Sequence, residues 1–227
     1  FRRGLATKRG SRWWPADGSP LPPPGPPLAI NSPKLSHDIE QLSYLVERGD
    51  LPADFATIVA DYRAMKGEIE RVHGEATTVM LSQRELGPIA ESYARIVHWR
   101  DTPAQPGGVL GSGWDRREIE RRYAVPPGVC FLDGLLTAEA LKALRRFCLD
   151  STIWNEVGHN FHEEGTRRAY LGTYAGDGFC CPLLFQIAED LTRALPAIFA
   201  DHRLTQMWAY KYEPRMEAVS YTHLTLP

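Results

Sequence analysis

The period of the apolar residues changes along this chain, and that change limits what it can fold into. Between Asn31 and Gly74 they recur every three to four positions, the spacing of one helical face. From Leu204 to Tyr212 they alternate, the spacing of one face of a strand. Leu204, Gln206, Trp208, Tyr210 and Tyr212 then share one side, and Thr205, Met207, Ala209 and Lys211 the other. A chain that carries both periods in separate blocks reads as α+β.

The helical block is predicted in three pieces. Ser32 and Pro33 make a cap and first turn, after which Leu35, Ile39, Leu42 and Val46 fall on one face up to Gly49. Phe55, Ile58, Val59, Tyr62, Met65, Ile69 and Val72 form a second stripe ending at Gly74. A third helix is expected after Pro88, through Ile89, Tyr93, Ile96 and Val97. These stripes can bury against one another or against a neighbouring domain.

The glycine- and proline-rich stretch 100–115 predicts a boundary, giving a helical region at 31–110 and a mixed region at 111–218. In the mixed region "GVCFLD" (128–133) is a strand candidate. Thr137 caps a helix with Leu141, Leu144, Phe147 and Cys148 on its apolar face. "RAYLGTYA" (168–175) reads as another strand. Pro182 opens a helix that buries Leu184, Ile187, Ala188, Leu191 and Leu195. Residues 1–30, basic and containing "PLPPPGPPL", are expected to be a disordered, extended linker, because proline lacks a donor and fixes φ. Their P-x-x-P spacing also suits a docking motif, but such spacing is nearly automatic in proline-rich text.

Composition excludes several functional classes. A net charge of −2 gathers neither nucleic acid nor anionic lipid. No apolar run approaches the roughly 20 residues of a spanning helix. Cys130, Cys148, Cys180 and Cys181 form no C-x-x-C pair and are too few for a disulfide scaffold, so buried thiols in a reducing, cytoplasmic setting are expected. Gly172, Gly176 and Gly178 lack the order of a phosphate-binding loop and read as turn glycines. There is no G-x-S-x-G elbow.

Two clusters remain as candidate sites. "HNFHEE" (159–164) brings together metal-ligand types, with His159 and His162 sharing a helical face and Glu163 adding an oxygen; its flanking glycines favour a loop. The alternating aromatics Trp208, Tyr210 and Tyr212 either pack on the core or present a phenol to a pocket mouth.

"DGLLTAEALKALRRFCLDSTIW", "LGTYAGDGFCCPLLFQIAEDLTRALPAI" and "LTQMWAYKYEPRMEA" resemble the front half of a bacterial, prolyl-hydroxylase-like oxygenase dependent on 2-oxoglutarate and Fe(II). "PKLSHDIEQLSYL" also resembles the helical region that precedes such domains. The resemblance implies a helical N-terminal region followed by the incomplete first part of a double-stranded β-helix, a jelly roll. It implies a strand bearing His-x-Asp after the turn that follows "WAYKY", with a second histidine and a basic residue beyond. Alternate strand positions face one way, so that His and Asp can share a metal. Tyr212 matches a position at which the family places a tyrosine near 2-oxoglutarate, and Tyr210 is the weaker match one repeat back.

No His-x-Asp follows Ala218. Residues 219–227, "VSYTHLTLP", resemble a translated sequencing adapter, so His223 is not expected to be a ligand. The parent protein is then expected to hydroxylate C–H bonds of an unidentified substrate, a peptide or protein side chain, using Fe(II) and 2-oxoglutarate. The piece itself is expected to bind neither and to be inactive. The competing expectation is a helical protein-interaction module on a non-catalytic β scaffold.

Overall fold

The computed structural model describes residues 26–75, 77–161 and 167–212. It is α+β: among the described residues there are seven α-helices and two small antiparallel sheets. None of these helices is long and apolar enough to cross a membrane. Two compact units are formed, one from the described residues of 26–95, 154–173 and 209–212, the other from 96–153 and 174–208.

The first unit is built on α1 (Ser32–Glu47) and α2 (Phe55–His73). The Asn31 side chain, rather than Ser32, caps α1, accepting from the Lys34 N–H at 2.8 Å, and leaves Ser32 and Pro33 in the first turn. Leu35, Leu42 and Leu45 from α1 and Val59, Tyr62 and Ile69 from α2 are buried, so the two stripes bury against each other. Ile39, Val46, Phe55, Ile58 and Met65 are only half-buried, and Val72 is exposed.

Two departures from the sequence reading occur here. Leu28–Ile30, placed in the linker, form β1, which pairs antiparallel with β2 (Val79–Leu81). The Tyr93 hydroxyl donates to the Ala29 carbonyl at 2.7 Å and ties that strand down. The helix expected after Pro88 does not form. A capping box between Ser82 and Glu85 instead starts α3 (Gln83–Leu86), and Gly87 at φ +53° ends it. A single 3₁₀ turn, Gly87–Ile89, follows, and Ala94 also has positive φ. Leu86, Ile89, Tyr93 and Ile96 are buried all the same, so the period was right about burial and wrong about backbone.

Most of residues 1–30 and the "EPRMEA" and 219–227 segments lie outside the described residues. β3 (Glu156–Phe161), β4 (Arg167–Tyr174) and β5 (Trp208–Lys211) make the second sheet in that order, β4 central. The strand expected from Leu204 therefore begins four residues later.

The second unit contains α4 (Arg116–Tyr123), α5 (Ala138–Asp150), α6 (Pro182–Ala194) and α7 (Pro196–Phe199). Thr137 caps α5 as expected, accepting from the Ala140 N–H. The buried face of α5 runs through Ala140 and Phe147, with Leu144 and Cys148 half-buried and Leu141 exposed. Phe147 sits between Trp99 and Phe179, with ring centroids 6.0 and 6.2 Å away.

On α6 it is Leu183 and Asp190 that are buried, while Leu184, Ile187, Ala188 and Leu191 are intermediate. The predicted face is rotated because Asp190 is taken inward by the backbone N–H of Val109 at 3.0 Å. Residues 128–133 form no strand: Gly128 and Gly134 have positive φ and Phe131 is exposed. Cys130 and Leu132 instead pack beside Ile119, Leu195 and Ile198.

Segment 97–111, which overlaps the stretch 100–115 read as a boundary, is held down by side chains of the helices and their ends. Thr152 accepts from the N–H groups of Val97 and His98, Ser151 from Arg100, and Gln186 exchanges two hydrogen bonds with Gln105. Irregular backbone can be buried only when its polar groups are paired in this way.

The first unit also buries charge. The Lys34 ammonium lies 2.5 Å from the Asp38 carboxylate, and His37 Nδ1 lies 3.1 Å from it. Burial holds the His37 imidazole below its ordinary value, outweighing the pull of Asp38 in the other direction. Stability from a depressed histidine is full above the unfolded value of 6.5 and is lost as pH falls through the lower folded value. Asp38 is also depressed: burial pushes its carboxyl up, but Lys34 and then His37 pull it further down, so its own loss begins only below 3.8. Denaturant midpoints at pH 7.5 and 5.5 should therefore fall for the wild type and change little for His37→Gln. Equal losses in the two proteins would contradict the assignment.

Candidate functional site

Alternate residues of β4 face opposite sides of the sheet. Leu171 and Thr173 point inward and are buried, whereas Tyr170 and Gly172 occupy the other face. Tyr170 is paired in register with Gly158 on β3, and Gly172 with Glu156. From β5, the Tyr210 ring lies over Gly172, with ring carbons 3.3 Å from where a Cβ would be. The outer face is therefore a patch in which side chains on one strand lie over glycines on the next.

Tyr170, Tyr210 and Tyr212 meet on this patch. The Tyr170 and Tyr210 centroids are 4.9 Å apart and nearly perpendicular, and Tyr212 lies 6.0 Å from Tyr170. Tyr210 and Tyr212 are 42% and 51% exposed, so the aromatic strand does not bury them in its own core. No hydrogen bond from their hydroxyls is made among the described residues. Partial burial, then Tyr210, Tyr212 and Glu156, push the Tyr170 phenol above its ordinary value, so that it stays protonated and able to donate.

Of the sequence candidates, Tyr210 and Tyr212 are brought together here. Tyr170 was missed, although "AYLGTY" carries its alternation with Gly172 in plain sight. His159 lies in β3 opposite Ala169, rather than in a loop, while His162 and Glu163 lie outside the described residues. Among the described residues no group of three or more His, Cys, Asp or Glu could hold a metal ion.

All four cysteines are free, but only Cys181 is buried as expected; Cys130, Cys148 and Cys180 are half-buried. Burial pushes the thiols of Cys148 and Cys181 to about 11 and that of Cys180 upward, which leaves them protonated and unreactive near neutral pH. The vicinal pair is thus poorly placed for redox work.

Comparison with protein-family models, with curated proteins and with solved structures finds no match to this chain.

The glycine under Tyr170 offers a direct check on the patch. A Cβ at Gly158 would lie 2.1 Å from Tyr170 Cζ, closer than atoms can approach, so the ring must swing away. Gly158→Ala should change the near-ultraviolet circular dichroism of the tyrosines and cost about 1–3 kcal/mol as an overpacked contact. An unchanged spectrum and stability would mean that the ring does not lie there.

Proposed function

We propose that residues 111–218 are the front part of an Fe(II)/2-oxoglutarate-dependent oxygenase domain, a jelly roll in the parent protein, that hydroxylates a peptide or protein side chain. The observation that carries this reading is the open tyrosine face. Tyr210 and Tyr212 stand exposed, their hydroxyls making no hydrogen bond among the described residues, at the end of a strand whose sequence resembles the one preceding the metal-binding strand of that family. An exposed aromatic patch on a sheet is costly unless something comes to lie on it.

On this reading Tyr212 donates its hydroxyl to a carboxylate of 2-oxoglutarate, and Tyr170 and Tyr210 wall off water beside it. On this reading the metal ligands come from outside the described residues, among which no group of three or more His, Cys, Asp or Glu could hold a metal ion. No step of the reaction is assigned to residues 26–212 beyond binding and orienting the co-substrate.

Two measurements test the proposal. The coding sequence that follows codon 218 in the source genome should continue in frame into His-x-Asp within a few codons, with a second histidine downstream. A continuation without them overturns the assignment. In that longer protein Tyr212→Phe should raise KM for 2-oxoglutarate several-fold, the loss of one hydrogen bond worth about 1 kcal/mol, and leave the fold intact. An unchanged KM would remove Tyr212 from the co-substrate site.

A further inference from the structure

Asp150, at the C-terminal end of α5, is completely buried, and a buried carboxylate requires partners. Its partners include Arg100 Nη1, from the held-down segment, at 2.9 Å and Arg146 Nε, one turn back on α5, at 3.5 Å. Each guanidinium carries five N–H donors, more than one shared carboxylate can take up. Both arginines line an open cleft of about 500 Å³ between residues 100–103 and the outer face of α5. The volume is that of a small-molecule site.

Lys142, one turn before Arg146 on the same face, also lines the cleft and makes no ion pair among the described residues. The cleft thus has two guanidiniums fixed by a buried anion and one uncommitted ammonium. Asp101 and Glu139 line it too, so net charge does not draw anions in. What the site offers is geometry: three cationic donor heads, two of them planar forks whose positions are fixed from beneath.

We propose that this cleft binds the phosphoryl group of a small phosphorylated molecule. A phosphoryl group presents three acceptor oxygens, one for each head, whereas a carboxylate presents two. The assignment stands apart from the oxygenase reading, since it uses none of the tyrosines and requires no metal.

The test is calorimetric titration of the full chain with inorganic phosphate, with acetate as the comparison. Saturable phosphate binding is expected, with acetate at least tenfold weaker. Lys142→Ala, at an exposed position, should weaken phosphate at least tenfold without lowering the melting temperature. Glu139→Gln should tighten it by removing a repelling carboxylate. Failure to bind phosphate, equal binding of acetate, or indifference to Lys142→Ala would overturn the site. Sedimentation of the chain with phosphatidic acid vesicles, abolished by Lys142→Ala, would give the phosphoryl group to a lipid and overturn the small-molecule assignment.

Discussion

Strand register carries the rest of the first unit's architecture. With Gly158 opposite Tyr170 and Gly172 opposite Glu156, the inner face of β4 presents Leu171 and Thr173 to the core and the outer face presents tyrosine over glycine. A slip of one residue would turn Leu171 to solvent and drive Tyr170 into the core. The glycines make this register both possible and necessary, since any side chain at position 158 would occupy the space of the Tyr170 ring. The tyrosine patch is thus a consequence of how the hairpin closes, not an ornament on it.

The second unit solves a different problem, that of burying irregular chain. Beyond an isolated antiparallel bridge between Leu110 and Leu136, residues 97–111 lie in no strand, so Thr152, Ser151, Gln186 and Asp190 supply further partners. Polar residues inside or at the ends of helices are usually a cost, but here each satisfies a backbone group that would otherwise be buried unpaired. Asp150 extends the same device to side chains, holding two arginines in place. The half-buried polar positions on α5 and α6 explain why the buried faces of those helices do not coincide with their most apolar stripes.

Much of this was legible in the sequence where local signals agreed. α1, α2, α5 and α6 were found because a cap or an early proline, a stripe and a stop all pointed the same way. Tyr210 and Tyr212 were found because alternation shows through even in a short strand. The failures came where one signal stood alone. Ile89, Tyr93 and Ile96 keep a helical spacing, yet Gly87 and Pro88 break the backbone and tertiary burial uses the residues without a helix. "GVCFLD" is apolar but has no neighbouring strand to pair with among the described residues, and Phe131 is left in solvent. β1 is only three residues long and follows a proline run, so its pairing with β2 depends on chain some 50 residues away. Lys34, His37 and Asp38 gave no hint at all, because a charged face on an amphipathic helix ordinarily faces water. Arg100 is likewise too far in sequence from Lys142 and Arg146 to suggest a common cleft.

Our central proposal is that the tyrosine patch is the floor of a co-substrate pocket, with metal ligands supplied from outside the described residues. Anaerobic addition of Fe(II) and 2-oxoglutarate, followed by visible absorption, tests it most directly. The account predicts a metal-to-ligand charge-transfer band with a parent chain extended past residue 218 and none with the 227-residue chain. A band from the shorter chain, or silence from the extended one, would contradict it.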